Sequence, residues 1–194
     1  FRGSTAAEEV VLADGTAVSG DLFVVGVGVN PRTELAEAAG LALDNGVVVD
    51  QHLAASSPGI WAAGDVANAY HPLFDARIRL EHWSAALNQG PIAAKNMLGQ
   101  DVEYQKTPYF FSDQYDLGME YNGYAAHWDQ VVYRGDPASR EVIVFWLDAG
   151  VPVAGMNVNV WEVAEPIAAL VAAKRPIDPA RLADPAIDLA SLVG

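Results

Sequence analysis

Gly59-Ile60-Trp61-Ala62-Ala63-Gly64-Asp65-Val66-Ala67 is the stretch on which the fold turns. Ile60 to Ala63 is a short apolar run that reads as a buried strand. Gly64 permits a tight turn and a close approach of backbone. Asp65 then stands at the start of a helix or turn, where its carboxylate can cap free backbone N–H groups. The same carboxylate can accept a hydrogen bond from a ligand hydroxyl. N–H groups beside it can face an anion or a carbonyl oxygen. On these residues alone two readings stand side by side, a strand-to-helix cap and a ligand-facing turn.

Outward from this stretch, composition narrows the class. The 194 residues suit one or two domains with a sizeable core. Hydrophobic residues make up 52% and charged residues 19%, a globular balance rather than a disordered one. The longest apolar runs fall far short of a membrane span and no signal peptide is visible, so a cytoplasmic protein without membrane partners is expected. There is no Cys, hence no disulfide, thiolate or Cys-based metal site, and no metal site is expected. Lys and Arg number 11 against 25 Asp and Glu, and the net charge of −14 makes nucleic acid a poor partner. Phe1-Arg2-Gly3 opens without Met and reads as the middle of a strand pattern, so a piece of a longer chain is expected.

Upstream of the stretch, Glu9–Leu12 and Thr16–Val18 flank Ala13-Asp14-Gly15, a hairpin turn signal. Asp21 to Val25 reads as a buried strand ending in Gly26-Val27-Gly28-Val29-Asn30-Pro31. That segment lacks the third glycine of a dinucleotide fingerprint and is broken by Pro31, so it reads as a strand-to-loop crossing. Thr33 to Ala39 reads as a short helix capped by Thr33 and stopped by Gly40. Asp44-Asn45-Gly46 is a turn before the β-branched strand Val47–Asp50.

Downstream, Arg77 to His82 alternates as a strand end does. Ser84 is placed to cap a helix from Ala85 to Leu98, ended by Gly99, with a kink or a late start at Gly90-Pro91. A helix N-terminus near Trp83 would turn N–H groups toward an electron-rich ligand atom. Trp83 also reads as a core aromatic, Glu81 as a solvated partner of Arg79, and His82 as a base or a surface side chain. Asp101 to Pro108 is a linker. Beyond it the pattern becomes antiparallel strands at 109–115, 117–121, 131–134, 141–147 and 151–157, with turns at 135–139 and 148–150. Glu162 to Lys174 is a helix whose apolar face is Ile167, Leu170 and Val171. A proline-rich tail lies across the domain.

Four segments in this order resemble the pyridine-nucleotide-disulfide oxidoreductase family, closest to oxygenase-coupled NADH-ferredoxin reductases and apoptosis-inducing factor. Gly59–Ala67 resembles the second FAD-contacting motif, in which the Asp at position 65 holds a ribityl hydroxyl. Gly26–Pro31 resembles the link by which the chain returns from the NAD domain to the FAD domain. Glu81–Gly90 is similar to the segment whose backbone meets the flavin O2 edge and whose Trp lies by the nicotinamide. Thr107–Tyr115 resembles the start of the reductase C-terminal domain, with Tyr109 and Phe111 standing where Trp is common. The resemblance implies an α/β plus α+β fold. Residues 1–25 would end an NAD-binding domain. Residues 26–103 would form the second segment of a two-dinucleotide-binding FAD domain. Residues 104–194 would form a ferredoxin-reductase-type C-terminal domain with an antiparallel sheet.

It further implies FAD and NAD(P)H as cofactors, with Gly64, Asp65, Val66, Glu81, His82, Trp83 and Phe111 as cofactor-binding residues. The implied reaction is hydride transfer from the nicotinamide to flavin N5, then single electrons to a ferredoxin-type iron–sulfur protein. No catalytic residue is assigned with certainty, and a homodimer stays open. Docking of an acidic ferredoxin would need a local positive patch, for which Arg77 and Arg79 are candidates. Two alternatives remain. One is a non-catalytic dimerisation or docking module built on the C-terminal sheet. The other is a CoA-disulfide reductase or NADH oxidase type of flavoenzyme. The His-Pro-Thr segment with a following Glu, which supplies the base in glutathione-reductase-type enzymes, is absent.

Overall fold

The computed structural model describes residues 1–194, which divide into two compact units, Phe1–Asn30 and Pro31–Gly194. The first is a hairpin of β1 (Glu9–Val11) and β2 (Ala17–Ser19), paired antiparallel with Val10 opposite Val18. Asp14-Gly15 makes the turn as expected: the Asp14 carboxylate accepts the Thr16 N–H, and Gly15 sits at φ +87°. The expected strand at Asp21–Val25 does not form. The run pairs with no neighbour, and Leu22 and Val24 stand 82% and 89% exposed. β-propensity produces a strand only where another strand satisfies its N–H and C=O groups, and none does so here.

The second unit begins with α1 (Glu34–Ala38), followed by Gly40 at φ +69°. Thr33 occupies the N-cap position, but its side chain makes no capping bond. The Asn45-Gly46 turn leads into β3 (Val47–Val49), which pairs parallel with β4 (Ala67–His71); β4 pairs antiparallel with β5 (Ala76–Arg79). The run Ile60–Ala63, expected as a buried strand, makes only an isolated bridge from Trp61 to Ala54 and leaves Ile60 37% exposed. The strand lies instead just beyond Asp65, at β4. There Ala67 and Ala69 are small enough to pack with Val47, Val49 and Leu53 in a first core.

α2 (Trp83–Met97) runs without a break through Pro91. Pro91 deprives the Leu87 carbonyl of its helical partner, but both residues are exposed, so water can replace the lost bond. No late start occurs, and Ser84 lies inside the helix rather than at its cap.

The strap 101–108 is pinned along its length. Asn96 bonds both the N–H and the carbonyl of Val102, Tyr104 N–H donates to Gln51, and the Lys106 carbonyl faces His71 Nε2 at 3.0 Å.

Five strands then form one antiparallel sheet: β6 (Tyr109–Gln114), β7 (Leu117–Gly123), β8 (Gln130–Asp136), β9 (Glu141–Asp148) and β10 (Val151–Val158), in the order β6-β7-β10-β9-β8. α3 (Ala164–Ala173) lays Ile167, Leu170 and Val171 on one face, as its spacing predicts, and shares a second core with Phe145 and Leu147. Gly155 makes this packing possible, since a Cβ there would lie 2.5 Å from Ile167. The tail crosses the same face through α4 (Pro179–Ala183) and a final turn at Leu189–Leu192, burying Leu182, Leu189 and Leu192. The Arg134 guanidinium holds it by donating to the carbonyls of Leu182, Asp184, Pro185 and Ile187.

Candidate functional site

Gly64–Val66 forms a single 3₁₀ turn between the extended Ala63 and β4. Gly64 is buried at φ +77°, a conformation that favours glycine, and a Cβ there would lie 3.4 Å from the Ala86 side chain. The N-terminal half of α2 therefore sits directly on this turn. The Gly64 N–H donates to Gln89 Oε1 at 2.7 Å. Asp65 does not cap a helix: its carboxylate is exposed and makes neither a hydrogen bond nor an ion pair. Its backbone carbonyl instead accepts from Arg79 Nη1 at 3.1 Å, and Arg79 Nη2 pairs with Glu81 at 2.5 Å. The half-buried Val66 puts its carbonyl where Gly46 must pass, since a Cβ on Gly46 would come within 2.6 Å of it.

At the start of α2, His82 is the N-cap. Its Nδ1 accepts the Ser84 N–H at 3.2 Å, which fixes Nδ1 as the unprotonated nitrogen. His82 is thus half-buried rather than on the surface, and its ring lies 5.7 Å from Phe111 and 6.5 Å from Tyr109. Trp83 is 64% exposed, which excludes a core role within this chain. It borders a cavity of about 290 Å³ with Leu87, Lys106, Tyr109, Glu120 and Asn122. Tyr109 donates to Glu120 at 2.8 Å, and Asn157 donates to the other carboxylate oxygen at 2.9 Å. Burial, reinforced by Glu120, pushes the Tyr109 hydroxyl up to about 12. Asn122 is 4% exposed and its Nδ2 has no partner.

The structure thus brings Gly64, Asp65 and Val66 against α2, with Glu81 tied to the same turn through Arg79. It brings His82 against Phe111. It does not put Trp83 and Phe111 in one cavity: Phe111 faces a separate recess with Asp113, Met119 and Trp161, and only Tyr109 and Glu120 line both. Arg77 and Arg79 are not equivalent cations: Arg77 is exposed and pairs with no carboxylate, whereas Arg79 is paired with Glu81. Arg77 Nη1 donates to the carbonyls of Val49 and Asn68, and the Arg79 side chain is 11% exposed and paired with Glu81. No group of three or more His, Asp or Glu side chains is placed to hold a metal ion.

Sequence reasoning assigned no role to Gln89. Its signal is readable in retrospect, because Ala85, Gln89 and Ala93 fall on one buried face at a spacing of four, where a polar residue needs a partner.

Residues 1–90 match the family model described as pyridine nucleotide-disulphide oxidoreductase, and residues 109–193 match the one described as reductase C-terminal. The chain is 39% identical over 190 residues to the ferredoxin–NAD(+) reductase component of an anthranilate 1,2-dioxygenase system from Burkholderia cepacia, covering 97% of this chain and 47% of that one. It is 33% identical to putidaredoxin reductase from Pseudomonas putida, covering 95% of this chain and 44% of that protein. It superposes on the crystal structure of a covalent putidaredoxin reductase–putidaredoxin complex with a TM-score of 0.91 at 32% identity, covering 100% of this chain and 47% of the other. The chain therefore spans about half the length of the relatives it matches.

Proposed function

This chain belongs to the pyridine nucleotide-disulphide oxidoreductase family and carries its reductase C-terminal domain, and from that premise we propose that it forms part of an FAD-dependent NAD(P)H oxidoreductase that delivers electrons to a ferredoxin-type iron–sulfur protein. The observation that carries the reading is the junction of Gly64–Val66 with the start of α2. Two segments about twenty residues apart in sequence meet with an unengaged carboxylate at Asp65 and, at the start of a fifteen-residue helix, the Trp83 N–H, which no capping bond uses. This donor and acceptor set fits FAD: Asp65 would accept from a ribityl hydroxyl, and the α2 N-terminus would face the electron-rich edge of the ring. FAD, when bound, supplies acceptance of a hydride and release of single electrons. The chain's own part is to orient the cofactor through Asp65, hold α2 in register through Gln89, and shape the approach beside Trp83.

The domain limits at 25/26 and 103/104, a cytoplasmic location and a homodimer belong to the same proposal. No helix is long and apolar enough to cross a membrane. The relatives that support the iron–sulfur partner are named for ferredoxin reduction and for putidaredoxin. The test is an absorption spectrum of the full-length protein before and after NADH. A flavin spectrum that bleaches on addition and recovers when ferredoxin is supplied is expected. A colourless protein, or a flavin that NADH leaves oxidised, refutes the reading. Asp65→Ala should then weaken FAD binding by about 10- to 100-fold, the range for losing a hydrogen bond to a charged group.

A further inference from the structure

We propose that Gln89 is the positioning residue of the cofactor-facing turn: it fixes the Gly64 peptide, and through it the direction of the Asp65 carboxylate. The inference rests on reading Gly64–Val66 as an FAD-contacting turn. Gln89 is 1% exposed, in the middle of a helical face otherwise made of Ala85 and Ala93. A primary amide buried among apolar groups costs free energy unless its donors and acceptor are used. Oε1 accepts the Gly64 N–H at 2.7 Å, which identifies that atom as the oxygen.

Gly64 needs such an anchor. It has no side chain to brace it, and it sits at φ +77°. Asp65 cannot hold itself, because its carboxylate has no partner in the chain. Arg79 secures the Asp65 carbonyl from one side, and Gln89 secures the preceding peptide from the other. Gln89 thereby ties the middle of α2 to the turn.

Two variants in the full-length protein test this. Gln89→Leu keeps the volume and removes the bond to Gly64. Gln89→Glu keeps an acceptor facing Gly64. Amide hydrogen exchange at Gly64–Val66 is read against Ala69 in β4, and FAD affinity is read by flavin fluorescence. In Gln89→Leu, exchange at Gly64 should rise about 10-fold or more while Ala69 is unchanged, and FAD should bind about 5- to 100-fold more weakly, the range for leaving one buried donor unsatisfied. Gln89→Glu should restore Gly64 protection to near the wild-type rate. Unchanged Gly64 exchange in Gln89→Leu overturns the proposal. So does an equal rise at Gly64 and Ala69, which would mark general destabilisation instead. A wild-type protein that binds no FAD overturns the reading of the turn, and the exchange arm alone then decides whether Gln89 holds Gly64.

Discussion

Trp83 and His71 show how the same kind of residue is assigned opposite roles by its surroundings. Trp83 is 64% exposed at the edge of a cavity, so Trp83→Ala removes little burial. Stability should change by about 0.5 kcal/mol or less, as for surface substitutions, against about 3–5 kcal/mol for truncating a core aromatic. On the proposed function, the same change in the full-length protein should alter the rate of flavin reduction by NADH, or NADH affinity, in a stopped-flow trace. Unchanged reduction together with a large stability loss would return Trp83 to the core. His71 is the reverse case, 1% exposed between Phe74 and Tyr104. Its Nε2–H faces the Lys106 carbonyl, and Nδ1 is buried without a partner. Burial pushes the imidazole below its ordinary value; the Lys106 carbonyl opposes that shift and the Lys174 charge adds to it. With a folded value depressed below the unfolded one, the unfolded chain binds the extra proton first. Stability is therefore complete above about pH 6.5 and falls as pH drops through that value toward the folded one. Thermal melts should show the wild type losing more stability between about pH 7 and pH 5 than His71→Phe, which cannot titrate. Parallel curves would refute this.

The α3–sheet contact is where an element depends on one small residue. Gly155 of β10 lies under Ile167, and a Cβ there would meet Ile167 at 2.5 Å and Phe145 at 3.1 Å. Gly155→Ala should therefore cost about 1–3 kcal/mol by overpacking. Gly26→Ala, with nothing within 4 Å of its added Cβ, should be close to neutral. Chemical denaturation of both variants checks the pair, and equal midpoints would remove α3 from the stability argument. The C-terminal sheet and α3 were legible because their alternation and their 167/170/171 spacing state which side is buried. The runs 21–25 and 60–63 were misleading because they share the composition of strands, whereas strand formation depends on a neighbour that composition does not reveal. β4 was missed for the matching reason: Ala67-Asn68-Ala69 has weak strand propensity and is strand because β3 and β5 flank it. At the site, Gly64-Asp65-Val66 and Trp83 were legible as a turn and a helix start. The Ser84 cap was misplaced by two residues, because the His82 ring nitrogen took the capping role that hydroxyls usually fill.

Charge at the scale of the molecule decides where an acidic partner can approach. On the proposed function, a chain at −14 would repel an acidic iron–sulfur protein at long range, so association would depend on whichever cations are free near the site. Arg79 is paired with Glu81 and Arg140 with Asp116, while Arg77 and Arg134 keep their charge but are held in place by backbone carbonyls. Lys106 is exposed, paired with no carboxylate, and the one of these cations that lies on the wall of the cavity Trp83 borders. On the proposed function, Lys106→Glu should slow ferredoxin reduction mainly through association, by about tenfold at low salt, within the range over which steering acts. The deficit should shrink as salt rises past physiological strength, where exposed charges are screened beyond about 8 Å. FAD content should stay near normal, because the change leaves the Gly64–Val66 turn and Gln89 untouched. Arg79→Glu should behave differently. It removes the tie to the Asp65 carbonyl and sets a second carboxylate against Glu81 in a nearly buried position, so it should lower stability by about 1.5–3 kcal/mol. The part of that loss that comes from the Asp65 carbonyl should persist at high salt, since a hydrogen bond to a neutral carbonyl is not an ion pair for salt to screen. If instead Arg79→Glu slows ferredoxin reduction in a salt-sensitive way at unchanged stability, while Lys106→Glu is silent, then the free cation that meets the partner is Arg79 and its packing against Glu81 opens in the complex.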